Sequence, residues 1–359
     1  MEGQVHLRKS LFTDVETTVC EFEGLKATAF RYSSGVEALR LENSAGHIVV
    51  LPYQGQQIWD AVFRGRRLTM LNYFPEPVPT PNLLDSYGAF LFHCGALRTG
   101  CPGPQDTHPL HGELPSAPYQ EASLLFGEDA EGPYLGVTGV CTYNKAFGDK
   151  YSARPSVKLH RDGTVLDVGM TIENLLHAPM ELMYMCHINF RPAENGEIVQ
   201  AAGWDTEDMI VRSSIPAHVK PTPKFLAFLD ALGKDPGVTR RLRPEDEYNP
   251  EIVFYIRNLR ADAKGLTHML QKHADGSADY VGYDPRRLDH TVRWILAHED
   301  QRVMAMALPA TCDPEGYTAE KKKGNVRIIP GLGKESFSVR VGYLDPAEAR
   351  RMESTIASL

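Results

Sequence analysis

Two short segments hold side chains able to move protons or grip a polar ligand. The first, residues 90–119, places His93, Arg98, His108, His111 and Glu113 among several glycines and prolines. Histidine titrates close to neutral pH, so it suits both proton donation and proton acceptance in one cycle. Loops on a rigid scaffold commonly carry such groups. Gly112 directly follows His111, a position where backbone can approach a ligand closely. The second segment is residues 180–192. In an extended chain, side chains alternate between faces. Glu181, Met183, Met185, His187 and Asn189 then share one face, while Leu182, Tyr184, Cys186, Ile188 and Phe190 form an apolar, core-facing set. His187 and Asn189 would stand side by side, able to hydrogen-bond a polyol.

Other patterns carry less chemistry. His108 and His111 are spaced like a metal pair, but Pro109 argues against a continuous helix between them. A site assembled from His93, His108, His111 and His187 stays open on spacing alone. Lys321, Lys322 and Lys323 read as a solvated face in a turn-like segment. No phosphate-binding loop, dinucleotide fingerprint or nucleophile elbow is present. Cys20, Cys94, Cys101, Cys141, Cys186 and Cys312 are scattered without a CxxC pair. They read as reduced, mostly buried thiols rather than a zinc or redox motif.

The elements that must position these groups are mostly strands. The 30 Gly and 25 Pro punctuate many short apolar runs, the texture of a large all-β protein. Residues 163–174 alternate, with Leu166, Val168, Met170 and Ile172 on one side. Strands are also expected at 47–51, 57–63, 281–283, 292–297, 302–307, 326–329 and 336–343. Helical spacing is confined to 223–233, with Gly233 as its stop, and to the C-terminus, where Asp345 is an N-cap and Pro346 opens the helix. No repeat of 20 to 50 residues and no linker divides the chain. The Pro-dense stretch 73–87 and the charged stretch 240–251 read as loops. The expectation is one domain over residues 1–359, a large β-sandwich with a few short helices.

Composition sets outer limits. Of 359 residues, 42% are hydrophobic and 23% charged, which excludes wholesale disorder. The formal net charge of −8, without a long basic run, argues against nucleic-acid partners and anionic membranes. No apolar stretch approaches the roughly 18 residues of a membrane span. The first residues, MEGQVHLRKSLF, hold no apolar core ahead of a cleavage site, so a cytoplasmic location is expected.

Four stretches in order resemble the aldose 1-epimerase (galactose mutarotase-like) superfamily, nearest to an uncharacterised branch of aldose 1-epimerase family proteins. They are Leu51-Pro-Tyr-Gln-Gly-Gln-Gln-Ile-Trp-Asp, then Phe92-His-Cys-Gly-Ala-Leu-Arg-Thr-Gly through Leu110-His-Gly, then Met185-Cys-His-Ile-Asn-Phe, and finally Leu308-Pro-Ala-Thr through Ile329-Pro-Gly. The resemblance implies a large β-sandwich with an open sugar cleft and cofactor-free acid–base chemistry. A carboxylate takes the proton of the anomeric hydroxyl, a histidine protonates the ring oxygen, and the ring opens and recloses on the other face. His187 matches the family's acid and His111 its sugar-binding histidine.

The resemblance breaks at the base. The family has a glutamate just before a Pro on a late strand, and Leu308 stands there. Leucine cannot transfer a proton. Glu113 is the first replacement to consider, with Glu181, Asp284 and Glu315 behind it. Arg98, Asn189, His93 and Asp284 are candidate substrate contacts, Arg98 being suited to a hydroxyl or an anionic substituent. The expected function is isomerisation or epimerisation of a free sugar or sugar acid at or near its anomeric carbon, without cofactor or metal. Two alternatives stand beside it: a sugar-binding protein that has lost its base, and a metal-assisted sugar isomerase or lyase using the histidines with Glu113. The expected partner is a small carbohydrate, and a homodimer is left open.

Overall fold

The computed structural model describes residues 2–215 and 220–359. Two large antiparallel sheets dominate it, one of nine strands and one of twelve. In the nine-stranded sheet the Val165–Asn174 strand alternates between buried and half-buried residues along its whole length. Leu166, Val168, Met170 and Ile172 point into the core, as the period-two pattern requires. All the strands expected from the sequence are present, several with ends moved by one to three residues.

The sheets pack face to face. Tyr184, from the twelve-stranded side, stacks on Phe337 of the nine-stranded sheet with ring centroids 4.5 Å apart. At one margin Asn43 Nδ2 donates to the carbonyls of His160 and Gly163, tying a hairpin of one sheet to a turn of the other. Large apolar side chains such as Phe63, Phe90, Phe190 and Phe254 fill the space between and are fully buried.

Three α-helices punctuate the strands: α1 (Pro223–Lys234), α2 (Tyr317–Lys323) and α3 (Pro346–Ala357). In α1, Thr222 caps the N-terminus, and the helix runs one residue past Gly233, the expected stop. In α3, Asp345 and Glu348 form a reciprocal capping box, with Pro346 in the first turn. The short α2 takes up the lysine run read as a turn; Gly324 closes it in the left-handed conformation at φ +82°. No helix of the described residues is long and apolar enough to cross a membrane.

In one half of the twelve-stranded sheet, the strand order is Met209–Val211, Ile252–Ile256, His290–Ala297, Arg302–Ala310, Met185–Ile188 and Leu91–Cys94. Residues far apart in sequence thereby become neighbours across one sheet face.

Candidate active site

That face carries a cleft of about 460 Å³. Four adjacent strands build its floor by presenting alternate residues: Val253, then Val292, Trp294 and Leu296, then Leu308, then Met185 and His187. A β-bulge shapes it. Val292 faces Leu308 whereas Trp294 faces Ala305, so one strand spends three residues where its neighbour spends two. Regular pairing would have put Ala307 opposite Val292; the bulge turns Leu308 into the cleft instead. Segment 73–87 forms one wall through Tyr73, Phe74, Leu84 and Tyr87, and it is therefore more than the surface loop expected. Cys101, Leu110 and His111 form another, and Arg212 and Glu251 close the end beside Trp294.

His187 sits at the centre of a chain of hydrogen bonds that fixes its protonation. Asn189 Nδ2 donates to the carbonyl of Ala89 at 2.9 Å, which turns Asn189 Oδ1 towards the imidazole. Oδ1 can only accept, so His187 Nδ1, 2.9 Å away, carries the proton. In a neutral ring Nε2 is then bare, and it accepts from the Tyr87 hydroxyl at 3.1 Å. Burial drives His187 well below the ordinary histidine range, and the neighbouring His111 adds to this. Burial likewise raises the Tyr87 phenol well above its ordinary range, so its proton stays on oxygen at neutral pH. Phe92 stacks on the His187 ring with centroids 4.6 Å apart, holding its plane.

His111 meets His187 edge to face, with centroids 5.1 Å apart. Its position comes from a sharp turn in which His111 and Gly112 are both left-handed, at φ +59° and +82°. A Cβ on Gly112 would fall 2.0 Å from the Arg98 carbonyl oxygen, so only glycine fits. The close approach expected at Gly112 is thus made by the chain itself. Burial lowers the pKa of His111 to about 4. Its Nδ1 is buried without a hydrogen-bond partner among the described residues.

Four groups of the cleft escaped the sequence reading: Tyr87, Trp294, Arg212 and Glu251. Glu251 accepts from Trp294 Nε1 at 2.7 Å and from the guanidinium of Arg212. Burial opposes the charge on Arg212, but Glu251 more than compensates and raises its pKa. Trp294 had a signal, since it alternates with Val292 and Leu296 on an expected strand. Arg212, Glu251 and Tyr87 lie at loop positions with no local pattern.

The structure brings His111, His187 and Asn189 together and places the other candidates elsewhere. Glu113 is a clamp behind the cleft. Its Oε1 accepts from the backbone N–H groups of Ala96 and Leu97 and from the Tyr151 hydroxyl, pinning the loop beneath His111. Burial raises its pKa while these donors oppose the shift. Arg98 pairs with Glu181 at 3.0 Å and lies 3.6 Å over the Tyr317 ring. Both charges are thereby spent on each other outside the cleft, and Lys321 adds a second cation on Glu181. His93 faces away from Phe92 into the space between the sheets, where Nδ1 bonds the Tyr184 hydroxyl at 2.9 Å and burial lowers its pKa to about 4. Asp284 follows a strand of the other sheet and is held below its ordinary pKa chiefly by its hydrogen bonds from Arg286. Glu315 is engaged by Lys323 and the Tyr255 hydroxyl.

The metal-assisted alternative asks for a cluster of ligand residues. Among the described residues, the one group of three or more His/Cys/Asp/Glu with donor atoms within 4.8 Å of one another is Glu131, His160 and Asp167. It contains none of the expected histidines, and Arg340 already holds both of its carboxylates.

Comparison with known proteins bears on the scaffold. A family model described as a domain of unknown function (DUF4432) matches residues 33–193. No curated protein matches the chain. A candidate aldose 1-epimerase from Klebsiella pneumoniae has a similar structure, with a TM-score of 0.78 at 16% identity over 99% of this chain and 91% of that one. A galactose mutarotase-like protein from Clostridium acetobutylicum gives 0.57 at 12% identity, covering 90% of this chain and 100% of that one. Another from Lactobacillus casei gives 0.53 at 12% identity, covering 85% and 99%. At these identities the likeness speaks for architecture, and with the two packed sheets it gives one conclusion: the chain has the galactose mutarotase-like β-sandwich fold.

Proposed function

We propose that the protein is a carbohydrate isomerase or epimerase that acts on a cyclic hemiacetal in the His111–His187 cleft. The observation that carries this reading is the fixed chain from the Ala89 carbonyl through Asn189 and His187 to Tyr87. It leaves a neutral imidazole coupled to a hydroxyl at the floor of a cleft, which is the equipment of a proton carrier. Here His187 is the base. As the anomeric hydroxyl passes its proton to Tyr87 Oη, Tyr87 passes its own to His187 Nε2. The C1–O bond to the ring oxygen breaks, C1 becomes a carbonyl, and the ring oxygen takes a proton from solvent. Rotation about C1–C2 and reversal of the steps yield the other anomer. No carboxylate is needed, which fits Leu308 at the place of the family base. Trp294, its indole N–H fixed on Glu251, offers a flat face for a sugar ring.

Proton NMR of freshly dissolved aldoses tests this. Anomer exchange should quicken with the protein and fall at least about 100-fold in His187→Ala. Unchanged exchange in that variant refutes the role of His187. Leu308 also favours a second reading, a sugar-binding protein without turnover. Line broadening of a sugar without faster exchange would select it.

A further inference from the structure

The lining of the cleft is at odds with a plain sugar. A free hexose brings a hydroxyl on almost every carbon, and each needs a partner once removed from water. Here the polar groups are few, and apart from His111 and Gln301 they are committed to one another: Tyr87 to His187, and Arg212 to Glu251. Most of the remaining lining is apolar. Met185 and Leu308 are buried at the floor, while Tyr73 and Leu84 stand at the mouth with 57% and 59% of their surface exposed. Exposed apolar side chains rimming a concave site mark it for an apolar ligand surface. The two charged groups, Arg212 and Glu251, cancel, so the cleft presents no net charge to a ligand. The volume, about 460 Å³, lies within the range of clefts that hold ligands larger than one bare sugar ring.

We infer that the substrate is an uncharged cyclic hemiacetal carrying an apolar substituent, aryl or alkyl, at a position other than the anomeric carbon. The inference rests on the acid–base role proposed for Tyr87 and His187, which fixes where the substituent can sit. Ring opening requires a free hydroxyl at C1. An apolar group attached there would make an acetal, which cannot open by proton transfer alone. The substituent therefore leaves from the far side of the ring and meets Tyr73, Phe74 and Leu84, while C1 faces Tyr87 and His187. This replaces the sugar acid expected from Arg98, whose charge is spent on Glu181.

The test compares 4,6-O-benzylidene-D-glucose, -galactose and -mannose with the unsubstituted sugars and with D-glucuronic acid. Affinity is read by calorimetry and anomer exchange by proton NMR. At least one benzylidene sugar should bind about ten-fold or more tighter than its parent, and glucuronic acid should gain nothing. Tyr73→Ser with Leu84→Ser, both at exposed positions, should erase that preference while leaving the melting temperature close to that of the native chain. Equal affinity for parent and derivative, tighter glucuronic acid, or a preference that survives the double variant each overturns the substrate class. Failure of all the sugars to bind overturns both it and the acid–base reading. Preferential binding without faster exchange leaves the class standing and refutes the acid–base reading. Faster exchange of parent and derivative alike, with equal affinity for both, does the reverse.

Discussion

Protonation of buried histidines should make this protein sensitive to mild acid, and His93 offers the cleanest measurement. It is 2% exposed, lies between the sheets and titrates near 4 in the folded chain. Unfolded, it titrates near the ordinary histidine value of 6.5. Between these values the unfolded state binds a proton that the folded state refuses, so stability is complete above about pH 6.5 and is lost as pH falls towards 4. From pH 7 to pH 5 the loss from this one residue is about 2 kcal/mol. His93→Gln keeps a hydrogen-bond partner for Tyr184 but takes up no proton. The variant should be less stable than the native chain at pH 7. The gap should narrow by about 2 kcal/mol at pH 5, because only the native chain carries the penalty. Urea unfolding at pH 7, 6 and 5 measures both curves, and their difference removes the carboxylates they share. Parallel curves would refute the placement of His93 as a neutral, desolvated imidazole.

Asn189→Asp puts a carboxylate against His187 Nδ1 and should raise its pKa by roughly 1–3 units, seen as a shift of its imidazole NMR resonance on titration. Glu113→Gln should cost about 1–3 kcal/mol in urea unfolding, since the three donors of the clamp lose their ionised acceptor, while sugar affinity changes little. A matching loss of affinity would return Glu113 to the site. Gly112→Ala should destabilise by more than about 1 kcal/mol and disturb the His111 resonance, because the new methyl meets the Arg98 carbonyl.

Sequence periodicity made the scaffold legible. The 163–174 alternation became a strand with those residues buried, and the reading of 180–190 as two faces set His187 and Asn189 side by side, where they hydrogen-bond. Its continuity did not hold: the chain breaks between Leu182 and Met185, and the earlier part pairs with Arg327–Ile329 instead. Charge on a side chain proved a poor guide to which residues line the cleft. Arg98, Glu113 and Glu181 all looked chemical in the sequence, and each is spent on a neighbour only the fold supplies, while Asp284 is held by Arg286 two residues along. The converse holds for Tyr87, Arg212 and Glu251. Each sits in an unpatterned segment, and their meeting depends on which strands are adjacent. Leu308 needed more still, since only a bulge turns it into the cleft.

The floor of the cleft joins strands from near residues 185, 253, 292 and 308, with walls from residues 73 to 111. Apart from the hairpin that pairs Val292 with Leu308, little in it is local. Contacts so distant along the chain carry a large loop-closure cost before they contribute anything, and sheets of this kind fold slowly. No partly folded chain lacking the Arg302–Ala310 strand can hold the cleft. Affinity for a ligand therefore arises with completion of the sheet, and any ligand that binds stabilises the finished molecule alone. In the cell, such a ligand would act as a pharmacological chaperone for its own receptor, raising the amount of folded protein wherever it accumulates.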